Sequence, residues 1–184
     1  MKFKTSTAVI GLTILGLLAV GNAFATTKAV LNVRADRTLK HFYAMSPMNR
    51  QLAAKAAGIL VFSRVTKGGA GVAGEYGEGV LRRDGSTVSY YSVGSASIGL
   101  TLGVGQHAEV IMFMTKDSLD KFRHSGGWSV GADTAVAIVS DGASGQYDSA
   151  TLDKPILGFL FAEKGLIGDA SLEGSKITPI KTGE

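Results

Sequence analysis

The sequence predicts an α+β domain in which amino-terminal helices pack on a curved or closed antiparallel, barrel-like sheet. Helical periodicity and capping signals dominate the chain up to Gly58. Beyond that point, short β-patterned segments alternate with Gly- and Asp-rich connections, which favours antiparallel neighbours. The composition agrees, because 45% hydrophobic and 18% charged residues are typical of a globular chain. The absence of cysteine excludes disulfides, thiol nucleophiles and thiolate metal sites.

The first 25 residues predict an export signal. Lys2 and Lys4 precede an apolar run over residues 8–20, and residues 23–25 (Ala-Phe-Ala) supply the small-x-small pattern that signal peptidase accepts. The run is shorter than the roughly 20 residues that a spanning helix needs. We therefore expect cleavage after Ala25, one domain over residues 26–184, and a periplasmic or secreted protein compatible with peripheral membrane association. An uncleaved anchor is the alternative.

Two helices are expected after the signal. Around Leu31 the helical pattern collects apolar residues, Leu39 and Phe42 among them, on one side and basic residues on the other. This apolar stripe either packs on the body, which is its usual fate, or enters a lipid interface, where Leu31, Leu39 and Phe42 would give a hydrophobic foothold. Ser46 and Pro47 predict the start of a second helix that stops at Gly58.

The remaining elements are mostly strands. Thr115 predicts the cap of one short helix over residues 116–123. Two strand candidates, 97–104 and 130–140, have faces of small residues, which permit sharp coiling or close approach by a helix or ligand. The predicted strands cover residues 59–65, 75–82, 87–93, 97–104, 109–115, 130–140, 156–162 and 166–172.

Two sequence motifs lack the context that their chemistry requires. Residues 69–74 spell G-x-G-x-x-G, but a glycine-containing strand pattern follows where a phosphate-binding helix should begin. Residues 127–131 spell G-x-S-x-G, yet all three histidines precede Ser129, the reverse of the hydrolase order. A convergent triad of Ser129 with His107 or His124 and Asp133 stays open as an acyl-hydrolase alternative. We expect a non-enzymatic protein.

No metal or other cofactor is expected. The three histidines are scattered, without the helical i, i+4 pairing of many metal sites, and no thiolate is present. Glu75 and Glu78 lie three residues apart on a predicted strand, so their side chains point to opposite faces and do not form a paired-carboxylate site.

Charge is distributed unevenly along the chain. Residues 28–67 carry eight basic residues and one acid, Asp36, for a net charge of +7, whereas the chain from Gly68 onward carries −5. A basic amino-terminal part on an acidic body indicates an anionic partner: membrane headgroups, nucleic acid or an acidic protein. Export disfavours nucleic acid. The alternative is that these charges only solvate the two helices.

Several segments together resemble a known family, the SYLF or Ysc-type actin-binding domain, over roughly residues 31–177. The segments that carry the resemblance are 57–62 (AGILVF), 68–80 with its YGEGV end, 91–92 (YS), 97–99 (SIG), 110–115 (VIMFMT), 131–133 (GAD), 164–166 (KGL) and 171–174 (SLEG). The resemblance implies a compact α+β domain with a curved or closed antiparallel sheet. It also implies binding of phosphoinositides, and in some eukaryotic members of actin filaments, with an amphipathic amino-terminal helix and nearby basic residues at the membrane.

The resemblance also places lipid-binding residues on this chain. They are Arg34, Arg37 and Lys40 on the first helix and Lys67 beside the first glycine-rich turn, with Arg50, Lys55 and Arg64 added on charge alone. An exported bacterial protein meets no actin, and bacterial membranes rarely contain phosphoinositides. We therefore expect docking to anionic phospholipid, phosphoinositide-like in its chemistry. A periplasmic scaffold that binds an acidic envelope protein or polymer is the alternative.

Overall fold

The computed structural model describes residues 26–70, 72–98, 103–133, 135–139, 149–162, 165–166 and 172–181. The predicted export signal lies outside these ranges. The helices are α1 (Lys28–Met45), α2 (Pro47–Lys55), α3 (Lys116–His124) and α4 (Ser149–Leu152). The strands are β1 (Gly58–Ala70), β2 (Val72–Arg83), β3 (Ser86–Ile98), β4 (Gly103–Phe113), β5 (Trp128–Ser129), β6 (Ala137–Ile138), β7 (Ile156–Ala162), β8 (Gly165–Leu166) and β9 (Lys176–Pro179). No helix in the described ranges combines the length and hydropathy needed to cross a bilayer.

Side-chain caps explain where three helices begin. The Thr27 hydroxyl accepts a hydrogen bond from the backbone N–H of Val30 at the start of α1. Ser46 caps α2 in the same way and is followed by proline, and Thr115 caps α3. Each hydroxyl satisfies a backbone donor that the helix itself leaves without a partner. The predicted starts of α2 and α3 are therefore confirmed.

The strands form one curved sheet that is open at both edges, a half-barrel, so the predicted α+β class is confirmed. Its order is β5-β9-β3-β2-β1-β4-β7-β6, with β8 paired to β7. Strands β1, β2 and β3 form consecutive hairpins, and β4 returns to pair with the free side of β1. Among the described strands, β6 departs from the predicted antiparallel arrangement, because it runs parallel to β7.

Two of the predicted strands do not form as single strands over the residues predicted for them. The segment 97–104 is divided between the end of β3 and the start of β4, and its central residues 99–102 lie outside the described ranges. In the described residues of the segment 130–140 there is a turn and the two-residue strand β6, not one continuous strand. Turn chemistry overrides the alternating pattern there, because Gly131 has a φ of 92° and the Asp133 carboxylate accepts from the backbone N–H of Ser129. Of 166–172, only Leu166 lies in a described strand.

The two faces of the sheet carry separate hydrophobic clusters. Helices α1 and α2 cover one face, and α3 with Trp128 packs on the other. Phe42 on α1 is fully buried, with its ring centroid 4.8 Å from that of Phe159 and 5.6 Å from that of Phe161. The apolar stripe of the first helix thus packs on the body, as its periodicity favours. Leu31 and Phe42 are buried and Leu39 is partly buried, so these side chains hold α1 on the sheet and would reach a membrane only if the helix rolled outward.

A β-bulge in β1 shapes the middle of the sheet. The register shifts between Phe62 and Val65 against both neighbouring strands. Two glycines of β2 allow β1 to approach closely at this point. A Cβ at Gly79 would lie 2.3 Å from the carbonyl oxygen of Val61, and one at Gly77 would lie 2.8 Å from that of Arg64. Ser63 and Arg64 together face one residue of each neighbouring strand, and such a bulge re-aims side chains.

Candidate anion-binding groove

An open groove of about 690 Å³ lies where α1 crosses the bulge of β1, the middle of β4 and the end of β7. This volume falls within the range of small-molecule sites, about 300–1,000 Å³. None of the described lining residues is acidic. The lining residues are Arg37, Thr38, His41, Ser63, Arg64, Gln106, His107, Ala108, Phe161 and Ala162.

Two of the predicted basic residues meet in this groove. Arg37 projects from the exposed side of α1, opposite the buried Phe42, and Arg64 comes from the bulge of β1. Both are exposed, and neither forms an ion pair with a carboxylate in the part of the chain that the structure describes. Two guanidinium groups in an open groove can bind an oxyanion with paired hydrogen bonds.

Uncharged groups complete the groove wall. Thr38 and Ser63 supply hydroxyls, and Gln106 supplies an amide, so the wall offers both donors and acceptors beside the arginines. The His41 ring lies 6.0 Å from the buried ring of Phe161 in a tilted arrangement. The groove is therefore polar and cationic at its mouth, with an apolar floor.

The other predicted site residues are spread more widely. Arg34 is half-exposed, and Lys40 and Lys55 are exposed, none with an ion pair among the described residues. Lys67 is different, because its Nζ lies 3.1 Å from Glu75 Oε1. A carboxylate of the same chain therefore already neutralises Lys67.

Arg50 lines a second cavity, of about 420 Å³, between α2 and the turn after β2. The acids Asp36 and Asp84 also line it, and Asp36 forms an ion pair with Arg82. Arg82 and Arg83 line this cavity too and pair with the two acids, so Arg50 is the one excess positive charge among its described lining residues, against two in the groove that contains Arg37 and Arg64.

A cluster that the sequence analysis missed lies on the face of the sheet opposite to α1. The candidate ligand atoms of Glu75, His107 and Glu109 all lie within 4.8 Å of one another, and His107 Nε2 is 3.0 Å from Glu109 Oε1. Burial raises the pKa of the Glu109 carboxyl, and the hydrogen bond with His107 acts in the opposite direction. The i, i+4 spacing of helical histidine pairs could not reveal this cluster, because its ligands come from β2 and β4 on either side of β1.

The structure does not assemble the alternative catalytic triad. Asp133 accepts from the backbone N–H of Ser129, where a triad would need it to orient a histidine. His107 bonds to Glu109, and His124 Nδ1 lies 2.7 Å from the carbonyl oxygen of Asp120. Within the described ranges, no histidine is hydrogen-bonded to Ser129. The G-x-G-x-x-G segment likewise leads into β2, as the sequence analysis expected, and not into a helix.

The fold and the groove define an α+β domain with helices on a half-barrel and an open cationic site between them. Comparison with protein-family models gives a match over residues 94–182, to the model described as "Ysc84: Las17-binding protein actin regulator", which is the SYLF family that the sequence resembles. The predicted family is thereby confirmed. The matched range includes the β4 and β7 walls of the groove, whereas Arg37 and Arg64 precede it. No curated protein matches the chain.

Proposed function

We propose that this domain is a non-enzymatic module that binds anionic phospholipid headgroups, with the phosphate held between Arg37 and Arg64. The presence of Arg37 and Arg64 in the lining of one groove, neither paired with a carboxylate of the described residues, is the observation that carries the proposal. Guanidinium groups match the geometry of phosphate oxygens and donate two parallel hydrogen bonds to them. The family match adds support for a binding module, and an exported protein would meet lipid where actin is absent.

The uncharged wall of the groove suits the rest of a headgroup. The Thr38 and Ser63 hydroxyls and the Gln106 amide stand within the same lining as the arginines. Such groups bind the hydroxyls of a glycerol moiety, because each can donate and accept. Phosphatidylglycerol and cardiolipin combine phosphate with glycerol, so we expect them to bind better than a zwitterionic lipid.

The exposed side of α1 gives a route to the membrane without unpacking the helix. Val30 and Val33 are 41% and 48% exposed, and they share this side with Arg37 and Lys40. Apolar side chains at the headgroup boundary flanked by cations are typical of interfacial helices. The valines thus take the role that the sequence analysis gave to the buried apolar stripe.

We also propose that the chain acts outside the cytoplasm after cleavage behind Ala25. The charged, apolar and small-x-small regions of residues 1–25 support this. Amino-terminal sequencing of the protein recovered from a bacterial envelope fraction should start at Thr26. Recovery of the intact Met1 terminus in that fraction would instead indicate an uncleaved anchor.

Liposome cosedimentation tests the lipid proposal. Each basic residue near an anionic surface contributes about 1 kcal/mol, so Arg37→Gln/Arg64→Gln should weaken binding to phosphatidylglycerol or cardiolipin vesicles by about 2 kcal/mol, about 30-fold. Binding of the wild type should weaken as salt rises, because ions screen exposed charges.

A matched control separates the groove from net charge. Lys121→Gln/Arg123→Gln also removes two positive charges, but from the exposed side of α3, so this variant should bind vesicles like the wild type. If both double variants lose vesicle binding equally, the loss would reflect overall charge, and this would contradict the groove as the binding site. Absence of vesicle binding, combined with saturable capture by an acidic envelope protein, would favour the scaffold alternative.

A further inference from the structure

Glu75, His107 and Glu109 approach one another across three neighbouring strands. Glu75 lies on β2, both other residues lie on β4, and β1 runs between these strands. In the register, Val65 of β1 faces His107 on one side and Gly77 on the other. Because Gly77 has no side chain, Glu75 and His107 can lean towards each other over β1. Their candidate ligand atoms and that of Glu109 lie within 4.8 Å of one another.

The Glu109 carboxylate lacks a partner for one of its oxygens. Its side chain is 1% exposed, and Oε1 is 3.0 Å from His107 Nε2. Its Oε2 is buried without a hydrogen-bond partner in the described part of the chain. A buried polar oxygen without a partner destabilises the folded chain, and more so when the group is charged. Glu109 therefore has free ligand capacity inside the cluster.

The cluster and its neighbours carry more negative than positive charge. Glu75 and Glu109 are both acidic, and Lys67 is the cation that pairs with Glu75. The Lys67 side chain is 43% exposed, so it can turn into solvent when another cation takes its place. His107 at 12% and Glu75 at 21% exposure keep the cluster in contact with solvent, which gives an ion a way in.

We propose that Glu75, His107 and Glu109 form a binding site for one divalent transition-metal ion of the zinc class. An imidazole with two carboxylates is a ligand set that Zn²⁺ accepts, whereas Ca²⁺ takes six to eight oxygen ligands. Three protein ligands leave a fourth position of the tetrahedron for water or an oxyanion. Glu109 aligns with Phe62 and Leu160 of the cluster on the α3 side, whereas Ala108 beside it packs on the α1 side, so the ion would lie across the sheet from the proposed phosphate site. The metal site stands on its own geometry and does not depend on lipid binding.

Calorimetric titration of the full chain with ZnCl₂ in a buffer that does not chelate metals tests this site. One Zn²⁺ per chain is expected. X-ray absorption at the zinc edge should report one imidazole nitrogen and carboxylate oxygens at about 2.0–2.2 Å. Glu75→Gln should lower the affinity by at least about tenfold, because loss of even an outer-shell partner costs about 10–100-fold. Lys67→Gln should raise the Zn²⁺ affinity, because Glu75 would no longer be paired with Lys67.

Glu78→Gln is the matched control, three residues along the same strand and on its opposite face, and it should bind Zn²⁺ like the wild type. Glu109→Gln should abolish binding, and if that variant does not fold, Glu75→Gln carries the test. The proposal is overturned by the absence of saturable Zn²⁺ binding. It is equally overturned by a coordination shell without imidazole, or by equal losses for Glu75→Gln and Glu78→Gln.

Discussion

Gly79 is the position where the close approach of β1 and β2 can be tested most sharply. Its residue partners in the register are Phe62 on β1 and Tyr91 on β3, so it lies in the interior of the sheet. A Cβ built there would lie 2.3 Å from the Val61 carbonyl oxygen and 2.5 Å from Phe62 Cδ1. The first of these neighbours is backbone, which cannot rotate out of the way. Gly79→Ala must therefore push β1 and β2 apart.

The magnitude follows from the size of this overlap. Relief needs a displacement of about 1 Å to restore ordinary van der Waals separation, and overpacking of this kind costs about 1–3 kcal/mol. We expect the upper end, about 3 kcal/mol, because backbone atoms must move. At about 2–4 °C for each kcal/mol in a chain of this size, the midpoint temperature should fall by about 6–12 °C.

Urea denaturation followed by circular dichroism measures the change, with Gly105→Ala as the control. Nothing lies within 4 Å of a Cβ at Gly105, so Gly105→Ala introduces no clash. It only removes the extra backbone freedom of glycine in the unfolded chain, so the free energy of unfolding should rise by up to about 1 kcal/mol. If Gly79→Ala lowers the free energy of unfolding by no more than Gly105→Ala changes it, the close-approach reasoning is refuted. The same result would remove the structural basis for the bulge that presents Arg64.

Two further predictions concern how α1 is held on the sheet. Phe42→Ala empties a fully buried aromatic site and should lower the free energy of unfolding by about 3–5 kcal/mol in urea denaturation, whereas the exposed Val33→Ala should change it by less than about 0.5 kcal/mol. Asn49→Ala removes the 2.9 Å hydrogen bond from Asn49 Nδ2 to the Phe42 carbonyl oxygen and should cost about 1–3 kcal/mol in thermal unfolding, because that buried oxygen loses its donor. A cost for Asn49→Ala no larger than that of Val33→Ala would contradict the role assigned to this bond.

Local signals made the helices predictable from the sequence. Ser46-Pro47 and Thr115 each place a hydroxyl where a helix needs an acceptor for its first free N–H groups, and both helices begin there. The strand over residues 156–162 was also predicted correctly, because it is a continuous apolar run buried on both faces.

Elements fixed by distant contacts were not predictable in the same way. Strand β9 at Lys176–Pro179 was missed, since four residues of mixed polarity become a strand only by pairing with β3 and β5. The segment 130–140 shows the opposite error, in which an alternating pattern was overridden by the turn at Gly131.

The sequence predicted the groove's cations but not their arrangement. Arg37 was named from the family resemblance and Arg64 from charge alone, yet nothing in the sequence indicated that both line one groove while Arg50 shares a cavity with acids and Lys67 pairs with Glu75. Convergence depends on the bulge in β1, which has no signature in a strand of ordinary composition. The metal cluster depends on the register across three strands, and that register is set only when the sheet forms.

The most direct test of the central claim is to observe the arginine side chains themselves during a titration. In ¹H–¹⁵N spectra of the arginine Nε–Hε groups, a water-soluble short-chain phosphatidylglycerol should shift the Arg37 and Arg64 signals together, along one saturable curve. Arg123 on the exposed side of α3 should not move. Shifts confined to other arginines, or separate curves for Arg37 and Arg64, would contradict a shared phosphate site.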